Sequence, residues 1–137
     1  MRALDTNVLV RFLVVDDQRQ ADLVRALFKQ TESRQQKLHV PLLVVLELIW
    51  VLASVYSIPR DKILDALQNM LLMPVLSFDG QTALQDFIHT AKNGTEDLSD
   101  LLIAHAAVES GCDTVLTFDK KASGFKHFQL LTDMSPL

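Results

Sequence analysis

The sequence predicts an α/β domain of three layers, α/β/α, with helices on both sides of a short, central, mainly parallel sheet. Three observations predict it. Short apolar runs of strand length alternate with longer stretches of helical period, and strands separated by helices favour parallel pairing through right-handed crossovers. Glycine and proline number only four each in 137 residues, which leaves little room for long loops. Apolar residues make up 49% and charged residues 22%, a globular composition rather than a disordered one. At about 150 residues per domain, a single domain over 1–137 is expected. A chain of this size buries about two thirds of its unfolded surface, enough for one core without staples.

Taken in order, residues 2–5 form a first short strand and 7–15 a first helix. Residues 16–36 hold a second, amphipathic helix with Ala21, Val24, Leu27 and Phe28 on one face. Residues 38–40 are a strand and 41–55 a strongly apolar helix, with Pro41 in the first turn, where proline is tolerated. The run from Val40 to Ile58 approaches the ~20 residues of a membrane span. Glu47 near its middle would cost about 2–3 kcal/mol in a bilayer, so the run reads as a buried core helix carrying one acid, and no membrane contact is expected. Residues 59–73 form a helix with Ile63, Leu64, Leu67, Met70 and Leu71 as its stripe. A strand at 74–78 follows. Asp79 is expected to cap a helix bearing Ala83, Leu84, Phe87, Ile88 and Ala91, which Gly94 ends. A helix over 98–110, ended by Gly111, and strands at 114–118 and 128–131 complete the order.

Lysine and arginine total 13 against 17 aspartates and glutamates, a net charge of −4. Such a chain has no global field that recruits nucleic acid, so any contact needs a local basic patch or a bound cation. The single cysteine, Cys112, excludes an internal disulfide and a cysteine-based zinc site; it reads as a packed thiol at a helix end. The four histidines, at 39, 89, 105 and 127, form no HxH or HExxH pair, and His105 reads as helix packing rather than as a general base. No basic segment followed by an apolar stretch opens the chain, which points to the cytoplasm.

Chemistry is concentrated in the acids. In open parallel sheets, ligands bind beyond the carboxyl ends of the strands, and Asp5, Asp79 and Asp119 each end a predicted strand. Asp79 reads as a helix cap. Asp5 reads equally as cap or ligand. Asp119 is followed by KKASGFK, in which Gly124 discourages a long helix. Glu47 has apolar residues at every neighbouring helical position, so its carboxylate reads as buried and must be paired, protonated or metal-bound. Asp97 fits a helix N-cap, and Asp100, followed by LLIAHAA, is expected to point inward. Two carboxylates ~5 Å apart repel by roughly 3 kcal/mol at an effective dielectric of 20. Acids that converge therefore call for a cation, and oxygen-only ligands select Mg²⁺ or Mn²⁺. Such ions activate water and neutralise phosphoryl charge, which is phosphodiester hydrolysis.

Four segments, ALDTNVLVRFL, VPLLVVLELIWVL, EDLSDLLIAHAAVESGCD and TVLTFDKKASGF, fall in order along nearly the whole chain. Together they resemble the PIN-domain family, specifically its VapC-type toxin ribonucleases from type II toxin–antitoxin pairs. The resemblance implies a metal-dependent endoribonuclease that leaves a 5′-phosphate and a 3′-hydroxyl. Asp5, Glu47, Asp100 and Asp119 take the places of its catalytic metal ligands, and Asp119 can act through water. Thr6, Asn7 and Thr117 match polar positions flanking the acids and either orient ligands or make ordinary turn bonds. Asp97, one turn before Asp100, is a further assisting acid. Arg11, Lys120 and Lys121 are the cations expected to meet RNA.

The resemblance also implies a small antitoxin partner. Wide apolar helix faces, with Phe12, Phe28, Trp50 and Tyr56 to place, suggest a homodimer and a partner groove. The main alternative is a non-enzymatic PIN-like module that binds nucleic acid or protein. A phospho-acceptor domain would want an acidic pair after the first strand, and a haloacid-type phosphatase a second acid in LDTN; the chain has neither.

Overall fold

In the computed structural model, which describes residues 1–132, strands and helices alternate in the expected order. The chain divides into two compact units, Met1–Gln81 and Thr82–Leu137. Both are α/β and both pair their strands in parallel, the class expected from the sequence. No helix among the described residues is long and apolar enough to cross a membrane.

The first unit is built on three short strands, β1 (Arg2–Ala3), β2 (Leu38–Val40) and β3 (Leu76–Phe78), in the spatial order β1-β2-β3. Arg2 faces Leu38 in register, and Leu38 faces Leu76. Leu38 and Val40 are buried on the central strand, as a parallel strand covered on both faces requires. The ladder runs one bond past the strands, with the Leu4 N–H donating to the His39 carbonyl at 2.9 Å and the Asp79 N–H to that of Val40 at 3.0 Å. Asp5 and Asp79 consequently leave the sheet at the same edge.

Four helices cover these strands: α1 (Thr6–Leu13), α2 (Gln18–Ser33), α3 (Leu42–Ser54) and α4 (Arg60–Leu71). Leu9, Val10, Val24, Phe28, Val45, Leu48, Ile49 and Leu52 are buried between them. Phe12 and Phe28 pack as tilted rings 4.9 Å apart. The second helix starts at Gln18, later than the expected 16. Asp17 accepts from the Gln20 N–H at 3.0 Å and caps it. Asp16 is drawn instead into a cluster with Arg11 (3.3 Å) and the Tyr56 hydroxyl, which donates to it at 2.9 Å.

The second unit holds α5 (Gln81–Lys92, whose first residue belongs to the first unit), α6 (Leu98–Glu109), β4 (Val115–Thr117), a 3₁₀ turn (Ala122–Gly124) and β5 (Phe128–Leu130). Its core is mostly helical: Leu84, Phe87, Ile88, Ala91, Leu98, Leu101, Leu102 and Ala104 are buried. Strands β4 and β5 pair in parallel with each other and are only half-covered. Two sequence expectations need correction. Gly80, at φ 63°, stands between Asp79 and the first residue of α5, so Asp79 precedes the cap position rather than occupying it. Cys112 is exposed, not packed, because Gly111, at φ 91°, turns the chain off the end of α6.

Candidate active site

At the carboxyl edge of the three-stranded sheet, Asp5 caps α1, and its Oδ1 accepts the Thr6 N–H at 2.8 Å. Its side chain is exposed, whereas Thr6 beside it is 2% exposed. The Thr6 Oγ1 is buried with no hydrogen-bond partner. A buried hydroxyl left unsatisfied costs on the order of 1–3 kcal/mol, and such orphans in native proteins are uncommon. Asn7 follows on the exposed side of the same turn.

The expectation of a buried Glu47 is overturned, because Glu47 is exposed. Helix α3 is apolar nearly all round, but only the stripe Val45, Leu48, Ile49 and Leu52 enters the core. The opposite stripe, Leu43, Glu47, Trp50 and Ser54, faces outward, with Leu43 79% and Trp50 58% exposed. Apolar composition set no direction for the helix; the turn at which it meets α1 and α4 did. An acid on that outer stripe needs no buried partner to be stable.

Arg11 also differs from a free cation waiting for RNA. It donates through Nε to the Gln20 Oε1, and through one terminal nitrogen to Asp16 and to the Tyr56 hydroxyl, both at 3.3 Å. The hydrogen bond to Tyr56 raises its already high pKa, and the charge of Asp16 adds to this. These contacts tie α1 to α2 and to the segment following α3. A cavity of about 330 Å³ in this unit lies at the opposite, amino edge of the sheet, lined by Met1, Arg2, Thr31, Gln36, Lys37 and Leu38. It is remote from Asp5 and offers no acid.

In the second unit the structure brings three predicted acids into one field. Asp97 caps α6, its Oδ2 accepting the Asp100 N–H at 3.0 Å. Burial pushes the half-buried Asp100 carboxyl above the usual carboxylate range, and the charges of Asp97 and Asp119 push it further. Asp119 is held from both sides. Its N–H donates to the Thr117 Oγ1 at 3.0 Å, and its Oδ1 accepts the N–H groups of Lys121 at 2.9 Å and Ala122 at 3.3 Å. Thr117 thus makes a turn bond that also fixes the acid. Lys120 and Lys121 follow, both exposed. His105 packs edge-on to Phe87 at 6.4 Å, and burial lowers its pKa, which agrees with a packing role.

Within neither unit do three or more His, Cys, Asp or Glu side chains among the described residues close on a point as a complete metal cage. Taken unit by unit, the candidate donors are carboxylate and hydroxyl oxygens, the chemistry that suits a hard divalent cation. In the first unit the Thr6 Oγ1 is unpartnered; in the second the charges of Asp97 and Asp119 bear on Asp100.

The PIN domain family matches residues 2–128, across both units. The VapC ribonuclease of Aquifex aeolicus (strain VF5) is 25% identical over 128 residues, an alignment that spans 92% of this chain and 94% of that protein. With the match running over more than nine tenths of its length, the chain belongs to the PIN domain family.

Proposed function

We propose that the protein is a metal-dependent endoribonuclease and the toxin of a toxin–antitoxin pair, residues 1–137 working as one domain, of which 133–137 lie outside the described residues. The observation that carries the reading is the placing of Asp97 and Asp119 close enough to Asp100 for their charges to add to the burial that holds its carboxyl above the usual range, in a chain of this family with a ribonuclease as relative. Acids brought near one another are good cation ligands.

In this reading Asp5, Glu47, Asp100 and Asp119 hold Mg²⁺ or Mn²⁺. A bound divalent cation supplies an activated water and charge neutralisation at the phosphoryl oxygen. The protein's own part is preorganisation. Asp5 is fixed by its bond to the Thr6 N–H, and Asp119 by Thr117 and two backbone N–H groups. Thr6 offers its free Oγ1, Asn7 a polar side chain beside it, and Asp97 a second carboxylate that holds the first turn of α6. Lys120 and Lys121 meet the RNA phosphates. Arg11 adds positive charge with much of its guanidinium already engaged.

The outward stripe of α3, Leu43 and Trp50 above all, supports an apolar partner surface, which suits a small antitoxin or a second subunit. The cytoplasm is the compartment that fits an RNA substrate.

The test is cleavage of labelled single-stranded and structured RNA by wild type and Asp5→Asn in Mn²⁺, Mg²⁺ or EDTA, after any co-purified partner is stripped. Cutting by wild type alone, only with metal, leaving 5′-phosphate and 3′-hydroxyl ends, is expected. RNA that is bound but never cut, with no metal effect on melting, would sink the enzyme in favour of a non-catalytic nucleic-acid-binding module.

A further inference from the structure

Beside Asp119 stands an apolar surface that neither the core nor the acid chemistry explains. Phe118 is 79% exposed and Leu116 59% exposed. They are two residues apart, the spacing that puts side chains on one face of an extended chain. Scattered apolar residues on a surface are ordinary. Here, however, the backbone that carries the aromatic is held in place. The bond from the Asp119 N–H to the Thr117 Oγ1 closes a small ring around the Phe118 backbone, and the bonds from Lys121 and Ala122 to the Asp119 carboxylate fix the next turn. Two exposed cations, Lys120 and Lys121, follow at once.

An exposed aromatic on a bonded turn next to paired cations is an arrangement that takes single-stranded nucleic acid: the ring stacks on a base while the cations meet the neighbouring phosphates. Because the turn is already ordered, little freedom is lost when a base arrives. We propose that Phe118, backed by Leu116, is a stacking platform for one unpaired RNA base next to the phosphate to be cut, and that it places the substrate against Asp119. This inference rests on the ribonuclease reading and adds to it a requirement for an unpaired base at a defined position. Phe118 is a positioning residue, since it touches the base and not the reacting atoms.

The experiment measures binding of short fluorescent single-stranded RNA to the full chain in EDTA, where nothing is cut. Wild type, Phe118→Ala and Phe118→Trp are compared, with an abasic nucleotide moved in turn through every position. Phe118→Ala is expected to weaken binding about tenfold, the effect of losing one stacked base. Phe118→Trp is expected to restore it, and the Phe118→Ala penalty to vanish for one abasic position only. In Mg²⁺ or Mn²⁺ the same variant is expected to raise KM more than it lowers kcat. Equal affinity of Phe118→Ala and wild type, or a penalty indifferent to base removal, overturns the platform while leaving a cutting enzyme intact. A wild-type protein that neither binds nor cuts RNA overturns the ribonuclease reading with it. Sedimentation at the same concentrations closes the remaining route: if Phe118→Ala only converts a dimer to a monomer, the patch is a self-interface and the proposal fails.

Discussion

Asp5 and Asp119 each follow a strand and each accept a backbone N–H just ahead of them, yet what stands behind the two differs. Behind Asp5 is a three-stranded sheet whose central strand is buried, and a helix whose next residue, Thr6, is buried as well. Behind Asp119 is a two-stranded ladder that is only half-covered, and the acid is held by side chain-to-backbone bonds. The first unit positions its acid by packing, the second by hydrogen bonds around a turn. Packing is resistant and slow to adapt; a bonded turn can adjust to a ligand. Around Asp119 the like charges of Asp97 and Asp100 accumulate; at Asp5 the unmet demand is a single buried hydroxyl.

The comparison can be broken most forcefully at the helical core of the second unit. Phe87 is fully buried, so Phe87→Ala should destabilise by about 3–5 kcal/mol in denaturant titration. Leu116→Ser, on the exposed strand, should change stability by no more than about 0.5 kcal/mol. Comparable losses would mean that the strands carry more of this unit than their exposure implies.

Next in size is the response to metal. At an Mn²⁺ concentration about a hundredfold above its dissociation constant, the wild type should gain about 2.7 kcal/mol, read as a rise in Tm. Asp5→Asn and Asp100→Asn should each remove most of that gain. If only one does, the two acids do not serve the same ion.

Thr6→Val sharpens the point at the sheet edge. In EDTA it should stabilise by about 1 kcal/mol, since an apolar group of the same shape replaces an unpartnered hydroxyl. In Mn²⁺ the advantage should shrink or reverse. A loss of stability in EDTA would show that the hydroxyl has a partner in solution.

The smallest effects are those of pH, and they run in opposite senses. The carboxyl of Asp100 is raised above 3.8 in the folded state, so its charge opposes folding at neutral pH, and this opposition fades as the pH falls toward 3.8. Metal-free Asp100→Asn should therefore be slightly more stable than wild type at neutral pH, with the gap closing in acid. His105 is lowered below 6.5 by burial. The unfolded chain takes up its proton first, so the fold loses stability as the pH drops below 6.5, levelling off under the folded value. His105→Gln should flatten that limb of a Tm-against-pH curve.

Much of the fold was legible because strand and helix periods differ and because glycines mark ends. The strand at 38–40 and the stop at Gly111 need only local chemistry. Asp16 was not legible as anything but helix, because Tyr56, which holds it, lies 40 positions away. Asp79 failed as a cap for want of knowing that Gly80 would take a left-handed turn. The direction of Glu47 was hidden for a different reason: on a helix apolar on every side, period alone cannot say which stripe the neighbours cover. In the second unit the nearness of Asp97 to Asp100 could be read from helix spacing, whereas that of Asp119 to Asp100 rested on the family resemblance, because only the fold brings a strand end to a helix start. Phe118 gives no signal of its own, since in sequence an aromatic at a strand end looks like core.

The parallel ladder of the first unit has a consequence for how the protein is made. Strand β1 is two residues long and pairs only with β2, some three dozen residues later, which pairs in turn with β3 after another interval of similar length. No hairpin joins neighbours in the chain, so β1 has no strand to pair with while the ribosome is still translating α2. A nascent or prematurely terminated chain carries the first acid on an unanchored end. Only once translation has run past Val40 does the strand that leads into Asp5 find its partner.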